Sequence, residues 1–165
     1  MTVTSVVPDQ RAHTLTLTAE YAAPVEQVWQ LWADPRLLER WWGPPTYPAT
    51  VGEHDLRAGG RVAYVMTGPD GETFAGWWAV TAVSAPTGLE FDDAFGEPDG
   101  PPSDLPVTRT VVRIGDAGGG VTRMVLTSTF PSPEAMDQLL AMGMQEGLTA
   151  AVGQTDDLLA GAAQR

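Results

Sequence analysis

The sequence predicts an α+β fold in which a long C-terminal helix covers the concave face of a curved antiparallel sheet. Three observations lead to this prediction. An alternating strand pattern is followed by two short helical patterns, a run of extended segments comes next, and a long amphipathic stretch ends the chain. The 165 residues suffice for one domain. We expect that domain to span 1–165, with an ordered core at about 12–160.

A strand and two helices are predicted near the N-terminus. Over 13–21, leucines alternate with threonines, which is the period of a half-buried strand. Over 24–33, a first-turn proline is followed by apolar residues at helical spacing, and the Asp34-Pro35 pair ends that helix. A second helix is expected over 35–42, because the Gly-Pro-Pro that follows cannot continue it.

The middle of the chain has the pattern of an antiparallel sheet. Short extended runs alternate with turn residues, of which Pro69-Asp70-Gly71 is the most specific turn. The segment GEPDGPPSD at 96–104 is too rich in proline and charge to pack, and we expect it to be a mobile acidic loop. The expected strands lie at 49–55, 61–67, 73–85, 89–95, 106–114 and 120–130.

A long amphipathic helix is predicted over 136–159. Its apolar residues recur at i, i+4 along one stripe, which is the pattern of a helix that packs on one side. Gly143, Gly147 and Gly153 each weaken this helix by up to about 1 kcal/mol relative to alanine. Because packing must compensate for that loss, we expect the helix to lie close to the sheet.

Composition and charge exclude several function classes. The chain has 9 Lys+Arg against 21 Asp+Glu, a net charge of −12, which disfavours nucleic acid and anionic membranes as partners. All the cations are arginine, so a Schiff-base or phosphate-loop lysine is excluded. There is no cysteine, and the two histidines form no HExxH-type motif, so we expect neither a metal nor a cofactor. The first residues lack a secretory pattern, which predicts a cytoplasmic protein.

Two segments carry a resemblance to a known family. They are YAAPVEQVWQLWADPRLLERWWGP at 21–44 and DLRAGGRVAYVMTGPDG at 55–71, the second with an Asp-x-Arg-x-Gly-Gly run and a Pro-Asp-Gly turn. Both are similar to the activator of heat-shock protein 90 ATPase homologues, in the form of their C-terminal domain. That family belongs to the START-like, helix-grip superfamily, also called Bet v allergen-like or polyketide cyclase-like. The likeness extends over about 13–159.

The resemblance implies a helix-grip fold: a curved antiparallel sheet, with two short helices near the N-terminus, wrapped around a long C-terminal helix. A helix resting on such a sheet leaves a cavity between the two. The family often has Gly-Trp near the middle of the last helix, where this chain has Gly147-Leu148. That departure implies either a roomier cavity or a softer cavity wall.

Candidate ligand-binding residues are the aromatic and methionine side chains expected on the inner faces. The resemblance turns the face of Val62, Tyr64 and Met66 inward, and methionines on the last helix suit an adaptable wall. The alternative is plain core packing, which we favour for Trp41; periodicity alone leaves the face of Trp78 open. The full set is Trp41, Trp42, Val62, Tyr64, Met66, Trp78, Phe91, Phe95, Met136, Leu140, Met144 and Leu148.

No catalytic set is evident, and His54 and Tyr64 are the weak candidates for proton transfer, with Tyr47 as a further one. Glu53 and Asp55 could form an acid/base pair beside His54, but a solvated strand end in which Asp55 and Arg57 brace a turn is the simpler interpretation. The alternating arginines on two late strands favour a solvent-facing ladder opposite acidic neighbours over an anion site: Arg109, Arg113 and Arg123.

Three functions are compatible with these patterns. The leading one is noncatalytic binding of a small hydrophobic or aromatic molecule in the cavity, by a monomer or a homodimer. The resemblance implies two alternatives: a co-chaperone that stimulates a heat-shock protein 90 ATPase, and a cyclase or aromatase that uses the same cavity. Neither nucleic acid nor membrane is an expected partner under any of them.

Overall fold

The computed structural model describes residues 3–163, where the chain forms eight strands and five helices. The expected domain extent, 1–165, reaches beyond the described residues at both ends. The strands are β1 Val3–Asp9, β2 Thr14–Tyr21, β3 Ala49–His54, β4 Arg61–Thr67, β5 Thr73–Ser84, β6 Gly88–Phe95, β7 Thr108–Gly118 and β8 Val121–Thr129. The helices are α1 Val25–Ala33, α2 Pro35–Leu38, α3 Pro133–Ala141, α4 Met144–Gly153 and α5 Thr155–Ala163.

All eight strands belong to one antiparallel sheet. Their order is β1-β2-β8-β7-β6-β5-β4-β3. Strands adjacent in sequence are also adjacent in the sheet, with one exception: β2 pairs with β8, and β3, which follows β2 after α1 and α2, lies at the opposite edge. The sheet is curved and the helices lie on one side of it, so the predicted α+β, helix-grip fold is confirmed. The face that packs inward alternates with the exposed face along each strand, as the period of two requires.

An aromatic cluster fills the concave side of the sheet beneath α1. Trp32 lies at its centre, with ring centroids 4.8 Å from Trp41 and 5.8 Å from Trp78. Trp78 stacks on Phe91 at 3.9 Å. The indole N–H of Trp32 donates to the sulfur of Met124 at 3.2 Å, which ties the helix to β8. This cluster anchors the N-terminal helices to the sheet.

The structure differs from the sequence prediction at three elements. β1 pairs with β2 along the sheet edge, where no strand was expected. The second helix ends at Leu38, and the chain continues through turns to Trp42. The predicted single C-terminal helix is wrong in detail: it is divided into α3, α4 and α5. The first break is at Gly143, whose φ of +92° is a left-handed conformation that interrupts a helix.

The outer face of the sheet carries the expected arginine ladder. Arg109 pairs with Asp92 at 3.2 Å, Arg113 with Glu90 at 3.8 Å, and Arg123 with Glu20 at 2.9 Å. These arginines are more than half exposed, so each pair contributes at most about 1 kcal/mol. The ladder is therefore a solvated surface, as predicted.

The acidic loop forms no helix or strand over 96–107. Asp99 accepts hydrogen bonds from both terminal nitrogens of Arg61, at 3.3 and 3.2 Å. Arg61 also donates to Glu53 at 2.7 Å, so one arginine links the loop to β3 and β4. Within residues 3–163, no helix has both the length and the apolar character needed to cross a membrane.

Candidate ligand-binding cavity

A cavity of about 280 Å³ lies between the sheet and the helices α3 and α4. Its volume is near the lower end of the roughly 300–1,000 Å³ typical of ligand pockets, so it suits a small molecule. It lies between two hydrophobic clusters, the aromatic one under α1 and a smaller one around Leu15, Phe130 and Leu139. The lining residues are Trp42, Pro44, Tyr64, Met66, Asp93, Phe95, Thr108, Thr110, Leu126, Ser128, Leu139, Met142, Gly143, Met144, Gly147 and Leu148.

The sheet supplies a polar floor. Asp93 on β6 lies opposite Thr108 on β7, and Thr110 on β7 lies opposite Ser128 on β8, so the four side chains form two adjacent cross-strand pairs on one face of three strands. Thr108, Thr110 and Ser128 are each at least 95% buried. Among the described residues their hydroxyls make no side-chain hydrogen bond. Hydroxyls in that position are free to bond a molecule in the cavity.

The strongest polar contact of the floor joins Tyr64 to Asp93. The Tyr64 hydroxyl donates to Oδ1 of Asp93 at 2.9 Å. Tyr64 is on β4 and Asp93 on β6, so the tyrosine must cross β5, which it does at its register partner Gly76. A β-carbon at Gly76 would collide with the ring and hydroxyl of Tyr64. Glycine at this strand position is therefore what allows the close approach.

Burial changes the acidity of both partners. It raises the pKa of Asp93 to about 7, against the opposing effect of the hydrogen bond from Tyr64. Burial and the charge of Asp93 together raise the pKa of Tyr64 well above its ordinary value. Within residues 3–163, neither arginine nor histidine lines the cavity to offset the carboxylate. Asp93 consequently exchanges a proton close to neutral pH, a property common at functional sites.

The helices supply the apolar wall of the cavity. Met144 and Leu148 face it from α4, and Leu139 faces it from α3. Met142, 58% exposed, stands at the junction between these helices where the cavity meets solvent. Apart from its chain neighbours and the backbone of its own helix, no described residue has an atom within 4 Å of the place where a β-carbon at Gly147 would be, so this glycine leaves open space at the wall. The cavity therefore combines an apolar wall with a polar floor.

Half of the predicted ligand-binding residues line the cavity: Trp42, Tyr64, Met66, Phe95, Met144 and Leu148. The other six lie outside the lining. Trp41, Val62, Trp78 and Phe91 are fully buried in the aromatic cluster, because α1 covers that end of the concave face. Met136 and Leu140 pack in the smaller cluster beside Leu15 and Phe130. That any of these residues binds a ligand remains a prediction.

The predicted proton-transfer residues are dispersed. A ring nitrogen of His54 lies 3.0 Å from the carbonyl oxygen of Trp32, where the histidine links β3 to α1. Tyr47 donates its hydroxyl proton to Glu72 at 2.9 Å. Neither residue lines the cavity, so of the three candidates only Tyr64 is in a position to act there. The brace between Arg57 and Asp55, at 2.9 Å, is present as expected.

The polar floor was not among the sequence predictions, although the sequence contains a signal for it. Along β6, Leu89, Phe91, Asp93 and Phe95 occupy one face at a period of two, so the inward phase of Phe91 also assigned Asp93 to the inside. On β7 the outward phase of Arg109 likewise turned Thr108 and Thr110 inward. These positions were not predicted to face inward because aspartate and threonine are usually found at the protein surface.

Proteins of known structure are similar to this chain in sequence and in fold. A family model described as Activator of Hsp90 ATPase homolog 1-like protein matches residues 22–160. The crystal structure of protein Ms6760 from Mycobacterium smegmatis has 49% sequence identity and a TM-score of 0.87, covering 97% of this chain and 99% of that chain. A solution NMR structure of a protein from Arthrobacter aurescens has 48% identity and a TM-score of 0.91, covering 96% of this chain and 92% of that chain.

More distant structures share the fold alone. The crystal structure of the AHSA1 protein from Silicibacter pomeroyi has 22% identity and a TM-score of 0.72, covering 89% of this chain and 97% of that chain. No curated protein matches the chain. These similarities concern the sequence and the fold of the chain. What the cavity binds must be inferred from the residues that line it.

Proposed function

The chain belongs to the activator of Hsp90 ATPase homolog 1-like family, and from that premise and its cavity we propose that it binds a small hydrophobic or aromatic molecule between the sheet and helices α3 and α4. The family and fold support a ligand-binding or activator-type function in general. The observation that carries the finer proposal is the open space at Gly147, in a cavity lining that also includes the apolar side chains of Met144, Leu148 and Leu139.

The apolar wall of the cavity meets solvent beside Met142, so its side chains expose apolar surface to water and lack the dispersion contacts of a packed interior. An apolar molecule of the right size would recover those contacts and remove its own surface from water, gaining about 25 cal/mol per Å² buried. The methionines of the wall adapt their shape to different occupants.

The test uses the neutral fluorophore N-phenyl-1-naphthylamine, whose emission rises in apolar surroundings. Titration into the wild-type chain should give a saturable rise in emission. Gly147→Leu should abolish the rise, because the new side chain fills the cavity. Gly153→Leu is the matched control, since Gly153 is on the same helix, is exposed and is not part of the lining.

Circular dichroism and thermal melting should show that both variants fold. A wild-type chain that gives no saturable signal would overturn the proposal. So would equal loss of binding in the Gly147 and Gly153 variants, because the probe would then be reporting on helix α4 in general and not on the cavity.

One observation also favours a second function, proton transfer inside the cavity. Asp93 changes protonation near neutral pH, and Tyr64 holds its carboxyl group in place. As a base, the Asp93 carboxylate could take a proton from carbon next to a ligand carbonyl, which leaves an enolate; the protonated carboxyl could then return a proton to the same or another carbon. This sequence of steps requires no oxidant and no cofactor.

That second function is tested by hydrogen exchange of 4-phenylbutan-2-one in D₂O, followed by proton NMR. The wild-type chain should exchange the protons beside the carbonyl faster than the buffer does, and Asp93→Asn should reduce the rate to that of the buffer. Asp92→Asn removes an equal charge from the outer face of the same strand and should leave the rate unchanged. Equal rates for wild type and Asp93→Asn would contradict a proton-transfer role.

The name of the family refers to a third function, stimulation of the Hsp90 ATPase. Within the described residues, no surface feature adds support to the family match for that role. It is tested by mixing the chain with a bacterial Hsp90 and measuring ATP turnover. An increase that survives Gly147→Leu would favour the activator role over the cavity as the seat of function.

A further inference from the structure

We propose that the cavity is selective for the charge of its ligand: it prefers an apolar molecule that carries an ammonium group and rejects a carboxylate with the same apolar body. This inference rests on the proposed binding function and names the ligand class for the same cavity. It is carried by the position of one carboxyl group, Asp93, within the lining.

Among the described residues that line the cavity, Asp93 alone is charged. One of its oxygens accepts the hydrogen bond from Tyr64. The described side chains provide no partner for the other oxygen, which leaves it available to a ligand. A partly buried carboxylate without a counter-ion is unfavourable, and a cationic ligand would relieve that cost.

The rest of the lining also suits an ammonium group. Three aromatic rings, those of Trp42, Tyr64 and Phe95, belong to the lining, and ring faces attract cations. An ammonium group has three N–H donors, and the buried hydroxyls of Thr108, opposite Asp93, and of Thr110, two residues further along β7, can accept them. A carboxylate ligand would meet the Asp93 charge with no arginine or lysine among the described lining residues to neutralise it.

The pH dependence of binding follows from the groups that face Asp93. The residues that face Asp93 from the neighbouring strands are Tyr64 on β4, Gly76 and Trp78 on β5, and Thr108 on β7. The described residues of α3 and α4 that line the cavity are apolar side chains and glycine. Arg109 lies on the outer face, paired with Asp92. Asp93 is thus the group that titrates near neutral pH, so amine affinity should rise as pH increases from 5 to 8.

The experiment compares 4-phenylbutylamine, 4-phenylbutan-1-ol and 4-phenylbutanoic acid, which share one apolar body. Each compound is titrated at pH 8 by displacement of N-phenyl-1-naphthylamine and, independently, by NMR shifts of the backbone amides. The proteins are the wild type, Asp93→Asn and, as the matched control, Asp92→Asn. Both substitutions remove one charge from the same strand, but only Asp93 lines the cavity.

The wild type and Asp92→Asn should bind the amine at least about tenfold more tightly than the acid, with the alcohol between them, a difference of about 1.4 kcal/mol. Asp93→Asn should reduce that preference to about threefold or less while it still binds the alcohol. Asparagine is nearly the same size as aspartate, and thermal melting should show that the variant folds.

Equal binding of amine and acid by the wild type would overturn the charge preference. So would equal effects of the two substitutions, because the selectivity would then come from the overall charge of −12. If the alcohol and the fluorophore bind but the amine shows no advantage, only this inference fails. If none of the compounds binds, the proposed function fails with it.

Discussion

At the scale of single residues, Asp93 is in an environment unfavourable to its charged form. Its folded-state pKa is about 7, whereas an aspartate in an unfolded chain titrates near 3.9. Between those values the folded state holds a proton that the unfolded state releases. Stability from this group is therefore fully present below about pH 4 and is lost as pH rises to about 7.

Asp93→Asn should remove this pH dependence. We expect the variant to gain stability over the wild type between pH 4 and 7, and to be more stable by on the order of 3 kcal/mol at pH 8. Urea unfolding at several pH values measures the difference. Asp92→Asn should track the wild type throughout; a wild-type curve parallel to that of Asp93→Asn would show that the Asp93 carboxyl ionises as an ordinary surface acid.

Tyr64→Phe should raise the pKa of Asp93 further. The hydrogen bond from the Tyr64 hydroxyl favours the charged carboxylate and opposes the effect of burial. Phenylalanine keeps the ring but removes the donor, so the titration midpoint should move above 7. Carboxyl ¹³C chemical shifts across a pH series give that midpoint. An unchanged or lower midpoint would mean that the two side chains are not hydrogen-bonded in solution.

At the scale of elements, β5 matters because its glycine lets one side chain pass over it. Gly76→Ala should displace the Tyr64 ring, break its bond to Asp93 and destabilise the protein by about 1–3 kcal/mol, the usual cost of overpacking. Chemical denaturation measures the loss, and the Asp93 carboxyl resonance reports the broken bond. Gly115→Ala on β7 is the control, since a β-carbon there meets nothing within 4 Å.

Gly115→Ala should be neutral or slightly stabilising, because alanine restricts the unfolded chain more than glycine does. If Gly76→Ala behaves in the same way, then Tyr64 can reach Asp93 by another path and the crossing at β5 is not required. A loss of stability with an intact Asp93 resonance would likewise argue against the crossing.

Elements with a clear side-chain periodicity were predicted from the sequence, whereas β1, which lacks that periodicity, was not. β2 alternates clearly, whereas β1 is mostly exposed, contains Pro8 and is held through its pairing along the edge of β2. The i, i+4 stripe of the C-terminal region was also correct. It continues across the break at Gly143, so periodicity alone could not show where the helix changes direction.

At the scale of the whole molecule, the order of elements predicted the α+β class and the family resemblance predicted the helix-grip fold, but neither gave the position of the cavity. The cavity exists because α1 covers one part of the concave face and fills it with tryptophans, while α3 and α4 cover the rest less completely. Trp78 and Phe91 were predicted to line the cavity because they lie on the inward face of the sheet, but they belong to the part of that face that α1 covers.

The most direct test of the central claim is a crystal structure of the chain with 4-phenylbutan-1-ol bound. We predict electron density for the phenyl ring against Met144 and Leu148, with the hydroxyl group near Asp93. Density for the compound only at the outer surface, or a cavity closed by its own side chains in the presence of excess compound, would contradict the claim that this space is a ligand-binding site.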